Sequence, residues 1–449
     1  MSNRSGSIRR FSRCSSTLCL AVLVAAVSTL PAHASSQARI VRLSDVHGLV
    51  QIDKNSGLGF ENAFLNLPVT QGTQLRTRDN GRVEIEFEDG STLRLAPNSQ
   101  LTFSTLNLND AGTRISVINL IDGTAYVNWL GKDSDTFTMN FSGDNVSLDH
   151  AAHFRVFTSA AQTKVAVFKG VVQIAGPAGT VIVEKRKMVT FAGDDKPTLA
   201  KNIEEEPLDS WDKQAVDYHD QYSAKNNSSP YAYGLSDLNY YGAYTPVPGY
   251  GMLWQPFFAG AGWNPFMDGA WSWYPGAGYM FVSAYPWGWM PYRYGTWVTV
   301  PGVGWMWQPG NWTTWSAMPN YAISTPPGFH PPVAPSGTVK TIVVGRGGPV
   351  LSPTLPSRLT ITRGSAGLDV PRGAVADLKS VNHQVAKSGL VQLEPMPHFG
   401  ASSGATFGSR TGSSYSPLSM GDSMSPSGMR ANTNAATNSS HASGGGEHH

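Results

Sequence analysis

The chain has 449 residues, with 33 Lys and Arg against 31 Asp and Glu and only two cysteines. This near balance of charge argues against nucleic acid or an anionic membrane as a partner, and the length predicts two or more domains. The tryptophans are unevenly placed, since eleven of the thirteen lie between Trp254 and Trp315.

Residues 1–34 have the pattern of a secretory signal peptide. Four arginines precede an apolar run from Leu18 to Leu30, and Ala32-His33-Ala34 predicts cleavage after Ala34. The run is shorter than the roughly 20 residues of a membrane-spanning helix, and an uncleaved anchor is the alternative. Cleavage removes both cysteines and leaves 29 basic against 31 acidic residues. We expect an exported bacterial protein, periplasmic or extracellular, without disulfides or a transmembrane span after the leader.

Residues 39–200 predict continuous β structure. In "GRVEIEFEDGSTLRLAP", Val83, Ile85 and Phe87 alternate with glutamates, and Asp89-Gly90 then turns the chain toward a second strand. Alternation with period two followed by a DG turn is typical of a β-hairpin. Similar short runs continue to residue 200, so this part is predicted to be a β-sandwich or rolled sheet.

Five further segments are predicted: a helical linker at 207–228, a Trp/Gly/Pro-rich hairpin-repeat domain at 230–316, a Pro-rich linker at 317–337, a small mixed α/β segment at 338–397 and a disordered tail at 398–449. The helix is indicated by Trp211, Tyr218 and Tyr222, which lie near one helical face. In the mixed segment, Gly389 is placed to end a second helix. The tail is rich in Ser, Gly, Asn and Thr and has no apolar periodicity.

The aromatic region repeats every 26 or 27 residues. The motif PGxG occurs at 248–251, 275–278 and 301–304, and an aromatic residue follows each at the same distance: Trp254, Phe281 and Trp307. Proline fixes φ and glycine permits positive φ, so PGxG predicts a tight turn between two strands. The sequence therefore predicts one aromatic β-hairpin in each repeat.

Two interpretations of the aromatic rings are open. The rings either pack on the Pro and Gly residues of the next repeat as a core, or lie exposed at the unit ends and bind a glycan or protein. For the second interpretation, Trp263, Trp289 and Trp312 lie nearest the predicted unit ends. Arg293, the only basic residue of the repeats, either stacks on a ring or contacts an anionic ligand.

The sequence indicates no catalytic, metal or cofactor site. His150 and His153 are three residues apart, which places them on opposite faces of a strand. The aromatic region contains no histidine and only Asp237 and Asp268 as acids, a poor basis for general acid and base catalysis. We therefore predict that the protein is not an enzyme.

Two parts of the chain resemble known families. Residues 40–195 resemble the FecR protein domain through "QGTQLRTRDNGRVEIEFEDGSTLRLAPNSQLTF", followed in the family's order by "LIDGTAYVNW", "AHFRVFTS" and "VAVFKGVVQI". Ala152-His153 replaces the family's usual small-residue and Thr pair. Residues 231–315, with "YPWGWMPYRYGTW" and "GWMWQPGNW", resemble an uncharacterised Trp/Gly-rich repeat domain that often follows FecR domains in exported bacterial proteins.

The FecR resemblance implies an extracytoplasmic binding module. The best-known members also regulate a sigma factor through a cytoplasmic segment, for which the short basic leader leaves no room. We therefore expect an exported, non-catalytic FecR-domain protein that binds or scaffolds at the bacterial cell envelope, with an envelope protein or polysaccharide as partner. The alternatives are a FecR-like signalling protein that relays an outer-membrane event, and recognition of glycan or peptidoglycan through exposed rings.

Overall fold

The computed structural model describes residues 39–396, except for residues 110, 132–134, 178, 194–195, 224–228, 314, 323–324, 338–340 and 346–355. The predicted leader at 1–34 and the predicted tail at 398–449 lie outside the described residues. All described residues belong to one compact unit.

Seventeen strands form the first part of the chain, which we name the sandwich domain (residues 39–200). The strands are β1 Val41–His47, β2 Val50–Asp53, β3 Glu61–Asn62, β4 Pro68–Val69, β5 Gln74–Thr77, β6 Arg82–Glu86, β7 Thr92–Leu95, β8 Gln100–Leu108, β9 Arg114–Trp129, β10 Thr136–Phe141, β11 Asp144–Leu148, β12 Ala152–Thr158, β13 Gln162–Lys169, β14 Val171–Gly176, β15 Gly179–Glu184, β16 Lys187–Ala192 and β17 Thr198–Ala200.

Strand β9 joins two sheets because its 16 residues pair in both. Its first part, up to Asp122, pairs with β8 and β10, and its second part, from Gly123, pairs with β7 and β12. The first sheet has the order β3-β2-β5-β8-β9-β10-β11-β14-β15, and the second has the order β4-β1-β6-β7-β9-β12-β13-β16-β17. Alternate aliphatic residues of both sheets form the core between them.

The described helices and the remaining strands follow the sandwich domain. The helices are α1 Asp209–Tyr222, α2 Leu235–Tyr241, α3 Met290–Arg293 and α4 Leu378–Ser388, and the strands are β18 Gly242–Val247, β19 Gly251–Pro256, β20 Gly269–Tyr274, β21 Gly278–Ser283, β22 Thr296–Val300, β23 Gly304–Gln308, β24 Thr341–Val344, β25 Leu359–Thr362 and β26 Leu390–Leu393. The mainly β fold that the sequence predicts is confirmed. No described helix has the length and apolar character needed to cross a membrane.

The three predicted aromatic hairpins are present as β18–β19, β20–β21 and β22–β23. In the first PGxG turn both glycines, Gly249 and Gly251, have positive φ. The first and third hairpins form one four-stranded sheet, because Trp254 of β19 pairs with Trp307 of β23. The second hairpin pairs instead with β24 from the region after the repeats.

Each hairpin places a glycine beneath a large ring. A Cβ on Gly242 would lie 2.4 Å from the Trp254 ring, and one on Gly295 would lie 2.6 Å from the Trp307 ring nitrogen. The second hairpin repeats this contact with Gly269 and Phe281, at 2.7 Å. The same steric relation therefore occurs in each unit, in which the glycine leaves space for the ring and for a facing backbone carbonyl.

Most of the clustered tryptophans are core residues. Trp254, Trp287, Trp289, Trp297 and Trp307 have 0 % exposure. Their rings pack by edge or tilted contacts, such as the 4.9 Å centroid distance between Trp254 and Trp287. Of the two interpretations of the rings, the structure favours a core.

The repeats pack on their neighbours on both sides. The second hairpin contributes Tyr274 and Val282 to the core cluster of the sandwich domain, and the Tyr274 hydroxyl donates to the Pro68 carbonyl at 2.7 Å. On the other side, Val381 and Val385 of α4 join the aromatic core. Gly389, with φ of 82°, follows the end of α4 as the sequence predicts.

The Pro-rich segment also contacts the repeats. The Phe329 ring lies 4.9 Å from the ring of Trp305 and 5.4 Å from that of Phe266. This segment, predicted as a linker, is therefore anchored to the aromatic core by at least one side chain.

Replacing Gly242 with Ala tests the close packing at this glycine, where a Cβ would lie 2.4 Å from both the Gln255 carbonyl oxygen and the Trp254 ring. Gly242 has extended φ of −159°, so the cost is steric, and we expect Gly242→Ala to lower the free energy of unfolding by about 1–3 kcal/mol. Gly262→Ala is the matched control, because a Cβ there meets nothing within 4 Å, and its expected effect is within about 0.5 kcal/mol. Urea denaturation measures both, and equal effects would contradict the proposed packing.

Candidate functional site

A network of charged side chains is buried where the sandwich domain meets the helices. We name it the ionic network, and it consists of Arg42, Glu84, Glu86, Arg94, Asp212, His219, Asp237 and Arg372. Strand β6 directs Val83 and Ile85 into the sandwich core, so Glu84 and Glu86 lie on the opposite face of the sheet. Both glutamates are nevertheless 1 % exposed, because α1 and α2 cover that face.

Glu84 lies at the centre of the ionic network. One carboxylate oxygen accepts from Arg94 Nε at 2.8 Å. The other contacts His219 Nε2 and Arg372 Nη1, both at 2.9 Å, and accepts from the Ser44 hydroxyl at 2.6 Å. A single strand residue therefore binds both neighbouring strands, helix α1 and the region that precedes α4.

Asp237 of α2 is the second centre. Arg372 donates to its two oxygens from Nε at 2.8 Å and from Nη2 at 2.7 Å, in the planar fork geometry that strengthens such pairs. The Tyr218 hydroxyl donates to it at 2.9 Å, and Arg42 Nη2 donates as well. Arg42 Nε also donates to Glu86 at 2.8 Å, and Arg372, which donates to both Glu84 and Asp237, joins the two centres.

The network shifts the ionisation of its acids. Burial by itself would raise the pKa of Glu84, but the positive charges of His219, Arg94 and Arg372 hold that pKa well below its usual value. Burial opposes ionisation of Asp237 too, and Arg372 and Arg42 lower its pKa. Both carboxyl groups are therefore charged at neutral pH, and each buried charge has a partner. These contacts join the sandwich domain, α1, α2 and the region before α4.

A cleft of about 970 Å³ lies between the sandwich domain and the repeats, and we name it the junction cleft. Its two walls differ in chemistry. The sandwich wall is largely polar and includes Arg39, Asn55, Gln71, Glu88 and Arg114. The opposite wall is aromatic and includes Tyr231, Tyr233, Tyr274, Tyr294, Trp312 and Trp315.

The aromatic wall is held in place by ring stacking and by the backbone. Tyr231 stacks on Tyr294 with 5.1 Å between centroids and 24° between planes, and Trp312 lies 5.5 Å from Tyr294. Next to Tyr231, the Ala232 amide donates to the Glu88 carbonyl at 2.7 Å. Tyr231 and Trp312 are only partly buried, and both line the cleft.

The cations of the junction cleft are paired with carboxylates. Arg39 contacts Glu88 at 2.7 Å and Arg114 contacts Asp135 at 2.7 Å. Lys54 contacts Glu61 at 2.6 Å. The sandwich wall therefore presents hydrogen-bonding groups with little unbalanced charge.

The four predicted binding residues fall in different places. Trp312 is partly buried and lines the junction cleft. Trp289 is 0 % exposed and Trp263 is 4 % exposed, so the expectation that these rings lie exposed at unit ends is wrong. The reason is that the segments between hairpins fold inward as part of the aromatic core. Trp263 still borders a second groove of about 530 Å³ beside the third PGxG turn.

Arg293 is completely buried, as its 0 % exposure shows, and it stacks between rings. Its guanidinium lies 5.3 Å from the Trp289 ring and 4.7 Å from the Trp315 ring. Nη2 donates to the Phe281 carbonyl at 2.8 Å and Nη1 donates to the Ser316 carbonyl at 3.3 Å. Burial lowers the pKa of Arg293 to about 10. Of the two predicted roles, this geometry favours stacking over contact with an anionic ligand.

The two histidines that the sequence places three residues apart, His150 and His153, have different surroundings. His150 lies on the surface against Asp149, and His153 Nε2 contacts Asp212 at 2.6 Å. Among the described residues, no group of three or more His, Cys, Asp or Glu side chains is placed to hold a metal ion.

The Asp89-Gly90-Ser91 stretch forms the predicted turn, in which the Ser91 amide donates to Asp89 at 2.9 Å.

The sequence did not identify the sandwich wall of the junction cleft. Arg39, Gln71 and Arg114 come from different strands and loops, and no local pattern marks them. The aromatic repeat in the sequence indicates one of the lining residues, Trp312.

Comparison with known proteins identifies two regions of the chain. Residues 73–173 match the FecR protein family, and residues 235–329 match a family of unknown function, DUF6600. The chain therefore contains a FecR domain followed by an uncharacterised aromatic repeat domain, as the sequence resemblance predicts. No curated protein matches the chain.

Two solved structures show a weak likeness. Both are crystal structures of a "putative anti-sigma factor" from Parabacteroides distasonis, with 15 % and 14 % sequence identity. In each case the match covers 35 % of this chain and 68 % of the other, with a TM-score of 0.26. A likeness at this level supports no conclusion about the function of the chain.

The depressed pKa values of Glu84 and Asp237 predict loss of stability in acid. Their usual values are 4.5 and 3.8. Below these pKa values, the two carboxyl groups bind protons in the unfolded chain but stay ionised in the folded chain. The stability that they contribute is therefore fully present above the pKa values of the unfolded chain. It is lost as the pH falls toward and through the lower pKa values of the folded chain, at about 1.4 kcal/mol per pH unit for each such proton.

Urea denaturation between pH 6 and pH 3 measures this loss. Glu84→Gln should reduce the slope, whereas Asp217→Asn should leave it unchanged, because Asp217 pairs with Lys213 on the exposed surface. A wild-type free energy of unfolding that stays constant over this range would contradict the role assigned to the ionic network.

Proposed function

We propose that the protein is an exported, non-catalytic FecR-domain protein that binds an envelope component in the junction cleft. The observation that carries the proposal is the cleft itself, which is built jointly by the FecR domain and the aromatic repeats. Its volume of about 970 Å³ is within the range of roughly 300–1,000 Å³ that is typical of small-molecule sites.

The chemistry of the cleft supports binding without a reaction. Its acid Glu88 is held by Arg39, which contacts both carboxylate oxygens, at 2.9 and 2.7 Å. Its cations are likewise engaged with carboxylates. A general acid or base needs a group free to exchange a proton with the substrate, and permanent pairing works against that role.

The position of the cleft supports a scaffolding function. The ionic network holds the FecR domain, α1, α2 and the region around Arg372 together, so the two walls of the cleft have a defined separation. A preorganised site avoids the entropic cost of ordering on binding.

The proposed location of the protein is the periplasm or the outside of the cell, because the predicted leader at residues 1–34 indicates export.

A second candidate function is regulation, and the match of residues 73–173 to the FecR family favours it. In this alternative, the FecR domain relays an outer-membrane event to a membrane partner. It requires a retained membrane anchor, whereas the binding function requires only export and release.

The junction cleft is tested by photo-crosslinking in the native host. Thr313 is exposed and lines the cleft, so a benzophenone amino acid at this position should capture the bound component. Thr180 on β15 is the matched control, because it is exposed and lies outside the cleft lining. We expect an adduct from position 313 that is missing from position 180. No adduct at position 313, or the same adducts at both, would contradict binding in the cleft.

Fractionation of the host with N-terminal sequencing separates the two candidate functions. We expect a mature chain that begins at Ser35, in the periplasm or the medium, because Ala32-His33-Ala34 has the pattern of a cleavage site. An intact leader in the inner membrane would overturn this expectation and favour regulation.

A further inference from the structure

We infer that the ligand of the junction cleft is a neutral oligosaccharide. This inference rests on the proposed function and adds the chemical class of the ligand. It follows from the two unlike walls of the cleft, one aromatic and one rich in polar groups.

The aromatic wall suits a sugar ring. A pyranose presents an apolar C–H face, which packs on the partly buried rings of Tyr231 and Trp312. These rings are already fixed, since the Tyr231 hydroxyl donates to the Trp312 carbonyl at 3.3 Å and both rings pack on Tyr294. Little side-chain entropy is therefore lost when a ligand stacks on them.

The sandwich wall suits the hydroxyl groups at the edges of the same sugar. Asn55 and Gln71 are exposed amides with both donors and acceptors. The pair of Arg114 and Asp135 is partly accessible, with the Arg114 side chain 23 % exposed. A purely apolar ligand would cover these groups without replacing their hydrogen bonds to water, which is unfavourable.

The charge balance favours a neutral ligand over an acidic one. The cations that line the cleft, Arg39, Lys54 and Arg114, are each within 2.7 Å of a carboxylate oxygen. An anionic ligand would compete with these carboxylates and would lie close to them. Hydroxyl groups can instead bond to the partly accessible Arg114, whose pair with Asp135 stays intact.

Calorimetric titration of the mature exported chain with defined oligosaccharides tests this inference. The neutral probes are chitotetraose, cellotetraose and maltotetraose, and tetragalacturonate is the acidic comparison. We expect at least one neutral probe to bind, with a Kd that changes less than about twofold between low and high salt, because no net charge is neutralised.

Variants locate the binding. Trp312→Ala should weaken binding at least about tenfold, and Trp312→Phe, which keeps an aromatic face, should recover most of it. Trp273→Ala is the matched control, because Trp273 is also partly buried but does not line the cleft. Equal losses in Trp312→Ala and Trp273→Ala, or no loss in Trp312→Ala, would overturn the inference. If Trp312→Ala does not fold, Gln71→Ala on the sandwich wall replaces it, and unchanged binding in that variant would overturn the inference.

The outcomes distinguish failure of this inference from failure of the proposed function. Salt-sensitive binding of tetragalacturonate alone would show an acidic ligand. Absence of binding to every sugar, together with a protein adduct from position 313, would show a protein partner and leave the proposed function intact. Absence of both binding and any adduct would overturn the inference and the proposed function together.

Discussion

The buried pairing of Arg372 with Asp237 and Glu84 is the interaction on which the arrangement of the chain depends. The three residues come from the region before α4, from α2 and from strand β6, and their contacts range from 2.7 to 2.9 Å. Desolvating these charges costs free energy that only their mutual contacts offset, so loss of one partner leaves an uncompensated buried charge. The alternative arrangements in which one segment moves away are therefore unfavourable, and the domains keep one geometry.

The aromatic repeats solve a different physical problem. Short hairpins have little core of their own, and this region is poor in aliphatic residues. Large rings such as Trp254 and Trp307 supply the buried area, while Gly242 and Gly295 provide the space for them. The second hairpin packs on the sandwich domain and the first and third form a separate sheet, so the same unit serves two packing environments.

The junction cleft is a consequence of both constraints. The ionic network fixes where the repeats lie against the sandwich, and ring packing fixes Tyr231 and Trp312 on one wall. The paired cations on the other wall keep its hydrogen-bonding groups without an excess of charge. These properties support the proposal that the cleft selects a ligand by shape and hydrogen bonding.

Local patterns in the sequence determined much of the secondary structure. Turn chemistry and periodicity depend on neighbouring residues, so PGxG identified the three hairpins, and Gly389 identified the end of α4. The same patterns could not decide what lies against each face. Alternation in β6 separates Glu84 from Val83, but only packing by α1 and α2 buries Glu84. Likewise, the sequence predicts both Trp289 and Trp312 at unit ends, but Trp289 is a core residue and Trp312 lines the junction cleft. Burial depends on segments that are far apart in the chain, and only the tertiary structure brings these segments together.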